Sequence, residues 1–258
     1  MKNKENFRIA VLIDADNVSS TNIKGMMEEV AKYGTPTIRR IYGDWTNPRL
    51  AGWKNMLHEH AITPIQQYSY TTGKNATDSA MIIDAMDILY AEKVDGFSLV
   101  SSDSDFTRLA TRLKESGMLV IGIGEKKTPK PFIVACDRFI YYEILTSPSV
   151  PESSAARKKK TATKSKTVTE PGKPTLEKID RDTVSLINSA IAAVADDTGW
   201  ANLASVGHQL SKIKPDFDPR NFGYNKMGQL VKVVRDFMVE ERENERKMKV
   251  IYVKVKDH

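Results

Sequence analysis

With 258 residues, 40 % of them hydrophobic and 28 % charged, the chain fits a soluble globular protein of one large domain, or of one medium domain and a small one. No apolar run approaches the roughly 20 residues of a membrane-crossing helix, and the single cysteine, Cys136, excludes an internal disulfide and points to a reducing, cytoplasmic home. The formal charge of +6 favours a polyanionic partner without naming one.

In chain order, Ile9–Ile13 follows lysines but is too short for a signal peptide and runs into Asp14 and Asp16, so it reads as a buried first strand. Strand and helix then alternate. A helix over Ile23–Lys32 ends near Gly34, and Thr37–Tyr42 is strand two. Arg49–His58 is a helix, Ile62–Gln67 a short strand, and Thr77–Tyr90 a strong helix. Phe97–Val100 is strand four, followed by a helix over Thr107–Glu115 that Gly117 stops. Met118–Ile123 is strand five, Pro129–Ala135 a short helix and Phe139–Tyr142 an edge strand. This alternation predicts an α/β domain over residues 1–145, a Rossmann-like parallel sheet with helices on both faces.

Residues 146–175 have few large apolar side chains, several prolines and the run Arg157–Lys160, and are expected to form a flexible basic linker. Over residues 176–258 helical periods run through Val184, Ile187 and Ile191, through Leu203, Val206 and Leu210, and through Leu230, Val231 and Val234. Asp218-Pro219 reads as an N-cap with proline at the first helical position. Two extended runs, near Met238 and over Val250–Val255, complete the pattern of a small winged helix.

The chemistry concentrates in aspartates. Asp14 ends strand one and Asp103 ends strand four, so both lie at the carboxyl edge of the sheet, where ligands of such folds bind. Asp105 follows in the first turn of the next helix, and Asp16 lies two residues beyond Asp14. Asp78 heads its helix in phase with Ile82, Ala85 and Leu89, the apolar stripe, while Asp84 and Asp87 fall away from it. Asp103 either caps the helix or helps hold a cation. Crowded carboxylates repel unless a cation neutralises them, and an oxygen-only donor set suits Mg²⁺ or Mn²⁺. Such a centre can serve an in-line phosphodiester displacement.

The segments VLIDADNV (Val11–Val18), GKNATDSAMIIDAMD (Gly73–Asp87) and VSSDSDF (Val100–Phe106) resemble an NYN domain of the LabA-like, PIN-related group, and RLATRLKESG, GIGEKKTP and ACDRFIY continue the likeness. The resemblance implies a PIN-type fold and a metal-dependent (endo)ribonuclease. It makes Asp14, Asp78, Asp103 and Asp105 the metal carboxylates, with Asn17, Ser102 and Asp16 in support. DPRNFGYNKMGQLVK (Asp218–Lys232) is similar to an OST-HTH, or LOTUS, domain, which implies RNA binding, or protein binding in some cases.

With RNA as the implied substrate, Lys74, Arg39, Arg40 and Arg49 become candidate phosphate contacts on the first domain. On the second, Lys212, Lys214, Arg220, Lys226, Lys232 and Arg235 form a basic set. Tyr68, Tyr70, Trp200 and Tyr224 are stacking candidates, with packing as the alternative role. Gly122-Ile123-Gly124 lacks the dinucleotide fingerprint, so no organic cofactor is expected. Cys136 has no histidine beside it and reads as a buried structural thiol. Two other functions fit the acids: a non-catalytic RNA- or protein-binding adaptor, and a phosphatase of the haloacid-dehalogenase type using Asp14 and Asp16. A homo-oligomer is also compatible with the chain.

Overall fold

The computed structural model describes residues 7–68, 76–146, 177–243 and 248–256. Its first part runs β1 (Arg8–Asp14), α1 (Ile23–Ala31), β2 (Thr35–Gly43), α2 (Trp53–Glu59) and β3 (Thr63–Gln66). It continues through α3 (Ala76–Tyr90), β4 (Gly96–Val100), α4 (Thr107–Glu115), β5 (Leu119–Gly124), α5 (Lys130–Ala135), β6 (Arg138–Tyr141) and α6 (Tyr142–Thr146). All pairings are parallel, in the order β3-β2-β1-β4-β5-β6. The chain therefore builds outward from β1 in one direction and then, from β4, in the other. The carboxyl ends of β1 and β4 face each other at that reversal, where a crevice forms. Ile13 stands opposite Val100, which brings Asp14 level with the segment just past β4.

Period-two alternation divides the core into two layers. Ala10 and Leu12 of β1 pack with Met81, Ala85, Leu109 and Phe132 of α3, α4 and α5. Ile9, Val11 and Ile13 pack on the opposite face with Ile23, Met26, Trp53 and Ile144 of α1, α2 and α6. Each of these large β1 side chains is fully buried, which contributes about 1.5–3 kcal/mol apiece. Asp14 continues the Ala10–Leu12 face and so emerges on the α3 side, where Asp78 begins its helix.

The observed elements adjust several expected bounds. β2 begins at Thr35, and a 3₁₀ turn over Pro48–Gly52 precedes a shorter α2. The edge strand ends at Tyr141 and α6 follows at once. The expected linker lies almost wholly outside the described residues.

The C-terminal part runs α7 (Arg181–Ala192), β7 (Ala201–Asn202), α8 (Leu203–Ile213), α9 (Met227–Val233), β8 (Phe237–Glu243) and β9 (Lys249–Val255). Its antiparallel sheet has the order β7-β9-β8, and the three helices close a core around Ile187, Val206, Leu210, Leu230 and Val253. Helices followed by a two-stranded wing make this a winged-helix arrangement. Asp218 caps through its side chain as expected, but what it opens is a 3₁₀ turn over Pro219–Phe222, ended by Gly223 at φ 86°. That positive φ is the left-handed conformation glycine adopts without steric cost.

Candidate metal centre

The ends of two strands and one helix deliver the acids. Asp14, 1 % exposed, is the last residue of β1. Its Oδ1 accepts from the Asp16 amide at 3.1 Å, and its Oδ2 accepts from Asn17 Nδ2 at 2.7 Å and Ser101 Oγ at 2.8 Å. Ser101 Oγ in turn accepts from the Asp103 amide at 3.1 Å. A short relay, Asp103 N–H to Ser101 to Asp14, thus ties the end of β4 to the end of β1. Burial lifts the Asp14 carboxyl above its ordinary 3.8, against the pull of the Asn17, Ser101 and Asp16 hydrogen bonds.

In front of this floor, Asp78, Asp103 and Asp105 each offer a carboxylate oxygen within 4.8 Å of the other two. Asp78 lies in the first turn of α3, Asp103 at the N-cap of the 3₁₀ turn Ser104–Phe106, and Asp105 within that turn. Asp103 Oδ1 accepts from the Asp105 amide at 2.9 Å. Capping and membership of the acidic trio are therefore compatible uses of one side chain. Burial, followed by the charges of Asp14, Asp103, Asp105 and Asp16, pushes the Asp78 carboxyl up to about 6. A divalent cation would relieve that repulsion, and the all-oxygen donors fit a hard ion.

The expected residues are brought together unequally. Asp14 stands outside the trio as its buried floor, Asn17 braces it, and the exposed Asp16 adds charge to the surroundings. The Oγ of Ser102, expected in support, accepts from the Glu125 amide at 2.9 Å. The serine bonded to Asp14 is Ser101. The signal was in the sequence, because alternation puts Leu99, Ser101 and Asp103 on one side and Ser102 on the other. Gly124, at the end of β5, was also missed. A Cβ there would lie 2.6 Å from the Ser101 carbonyl oxygen and 2.7 Å from Thr128 Oγ1, so the close approach of β5 to the site requires glycine.

Asp84 corrects the helical phasing. The buried face of α3 runs through Thr77, Met81, Ala85, Ile88 and Leu89, a rotation that brings Asp84 to its border. There Asp84 accepts hydrogen bonds from Tyr42 and Arg40, which clamp α3 to β2. Arg40 is thus committed to Asp84, and Arg39 donates to the backbone carbonyls of Pro36 and His60 at 3.2 and 2.9 Å. Arg49 is exposed in the turn after β2, on the carboxyl edge that carries the acids. Lys74 and Tyr70 lie outside the described residues.

In the winged helix, Lys226 and Arg235 are exposed, whereas Lys232 pairs with Glu241 at 3.2 Å. Lys214 is half-buried after α8, and Arg220 is engaged by Glu29 and Asp218. Trp200 is half-buried, and with Tyr252 it sandwiches the Arg242 guanidinium at 4.8 and 4.6 Å from the ring centroids. Tyr224 packs against the module's core. Cys136 is a buried free thiol, raised by burial to about 12, as its structural reading requires. No helix among the described residues is long and apolar enough to cross a membrane.

Comparison with known families matches residues 8–145 to the NYN domain and residues 174–248 to the OST-HTH/LOTUS domain, in that order. Solved structures similar to parts of the chain include a protein of unknown function from Vibrio parahaemolyticus, at 20 % identity over 55 % of this chain and 96 % of that one, with TM-score 0.46. Another is an uncharacterized protein from Nitrosomonas europaea, 32 % identical over 42 % of this chain and 93 % of that one, with TM-score 0.29. A third, from Chromobacterium violaceum, is 36 % identical over 31 % and 87 %, with TM-score 0.26. Comparison with curated proteins returns no match.

Proposed function

Because this chain belongs to the NYN domain family, within a PIN-like nuclease superfamily, we propose that it is a metal-dependent endoribonuclease whose OST-HTH/LOTUS module supplies affinity for RNA. The observation that carries this reading is the trio Asp78, Asp103 and Asp105, mutually within 4.8 Å at the carboxyl edge of the sheet. Those three would hold Mg²⁺ or Mn²⁺, which would supply charge stabilisation to the phosphoryl group and acidify a water. The chain's own part is positional. Asp14 holds Ser101, Ser101 holds the Asp103 amide, and the clamp from Tyr42 and Arg40 to Asp84 sets α3, and with it Asp78, against the sheet. A bound cation would favour the ionised form of Asp78, whose carboxyl burial and neighbouring acids raise to about 6.

Arg49 stands at the same edge and would meet backbone phosphates, while Lys226, Lys232, Arg235 and Lys214 would hold RNA on the module. Support for an aspartyl-phosphate mechanism is weak, because Asp14, the residue it needs as nucleophile, is 1 % exposed and accepts three hydrogen bonds. Incubation with RNA and Mg²⁺ or Mn²⁺ tests the proposal. Cleavage is expected to stop with EDTA and to fall by about 10²-fold or more in Asp103→Asn. Equal cleavage by both proteins would assign the activity elsewhere, and binding with no cleavage under any metal would favour an adaptor.

A further inference from the structure

Arg220 belongs to the basic set expected to meet RNA, yet its guanidinium is spent between two carboxylates of this chain. It donates to Glu29 Oε2 and Oε1 at 2.7 and 3.0 Å, and to Asp218 Oδ2 and Oδ1 at 2.7 and 3.0 Å. Glu29 sits in α1 of the NYN domain, 4 % exposed, with Lys32 as its other partner at 2.7 Å. A carboxylate so buried is tolerable only when a cation meets it squarely, and the fork of an arginine does so. The contact is also continued along the sheet edge. The Phe139 amide donates to the Pro215 carbonyl at 2.9 Å, Tyr141 Oη donates to Asp216 at 2.7 Å, and Arg138 donates to Ser211 and the Phe217 carbonyl. Two elements of one domain, α1 and β6, thus hold a single stretch of the other, from the end of α8 to the 3₁₀ turn.

We infer that Arg220 is a positioning residue: with Glu29 and Asp218 it locks the winged-helix module against α1 and β6, so that RNA held by the module meets the acidic centre at one fixed separation. The inference rests on the nuclease reading for its consequence, which is a narrow window of cut positions relative to the bound element. A freely tethered module gives a broad one. The lock itself stands on geometry alone.

Distance measurement between spin labels in the full chain separates these cases. Labels at Lys54→Cys and Val233→Cys, both exposed, report on the two domains, and the buried Cys136 stays unlabelled. A narrow distance distribution is expected, broadened in Glu29→Gln and in Arg220→Gln. Tyr141→Phe, which removes one hydroxyl and no charge, provides a milder loosening should either of those fold poorly. On end-labelled long RNA the cut window should widen in Glu29→Gln and KM rise several-fold, with kcat on a short oligonucleotide unchanged. A broad distribution in the parent protein, or one indifferent to all three substitutions, would overturn the lock. Absence of cleavage with a narrow distribution would instead sink the nuclease reading and leave the lock standing.

Discussion

Asp78 is where the electrostatics of the centre can be read most directly. Its carboxyl is raised to about 6 by burial and then by its acidic neighbours, so in the metal-free protein it is protonated at pH 5 and ionised at pH 7. The sign follows: proton and cation compete for one site, so Mn²⁺ should bind more tightly, and raise the melting temperature more, at pH 7 than at pH 5. Carbon-13 NMR of the carboxyls is expected to show Asp78 titrating near 6 and moved down by Mg²⁺; a value near 3.8 without metal would remove the burial and repulsion on which this rests. The two adjacent serines make a sharper comparison. Ser101→Ala takes a donor from Asp14 and an acceptor from the Asp103 amide, and should cost about 1–3 kcal/mol and at least ten-fold in cleavage. Ser102→Ala loses only an acceptor for the Glu125 amide and should retain most activity. Cleavage rates for the pair in that order, or reversed, decide which serine serves the acids.

At the scale of elements, the strand–helix alternation was legible because a doubly covered sheet writes its buried strands as short apolar runs, Ile9–Ile13 and Phe97–Val100 among them. That β1 and β4 are neighbours is written in no local pattern; the structure pairs them in parallel. Less legible were the contacts that depend on rotation about an axis. Sequence phasing centred the buried face of α3 on Asp78, Ile82 and Ala85, and only packing against β2 revealed that the helix is turned to bring Asp84 under Tyr42 and Arg40. Asp84→Asn should destabilise the domain by about 2 kcal/mol, measured by urea unfolding, because a charged acceptor shared by two donors is weakened. Gly124 was illegible for a different reason: its necessity comes from the distance to Ser101 on another strand, which no local pattern records. Gly124→Ala should lower cleavage while leaving the circular dichroism of the fold in place.

For the whole molecule, the contact between the two domains makes stability depend on acid. Burial alone would raise Glu29, and hydrogen bonds from Arg220 and Lys32 more than reverse it, leaving the group below its ordinary 4.5. Asp218 follows the same course below 3.8, with Arg220 as its main partner and Arg138 adding to the pull. A carboxyl lowered on folding stabilises at pH values above its unfolded value and loses that stabilisation as pH falls through its folded one. Thermal unfolding is therefore expected to be one shared transition near neutrality, separating into two as pH drops below about 4.5. Calorimetry that found two transitions at every pH would contradict a coupled pair of domains. None of this was visible beforehand, since Arg220 and Glu29 are 191 positions apart.

The hydrogen bond from Phe139 to Pro215 carries one more implication. An outermost strand with open amides is a template on which other chains can stack, and proteins guard such borders. Here the guard is a proline, which accepts one bond through its carbonyl and, having no amide hydrogen, offers nothing for a ladder to continue. Removing the C-terminal module would leave the β6 border bare. The isolated N-terminal fragment should then be prone to self-association and fibre-like growth, a fate the intact polypeptide avoids by carrying its own cover.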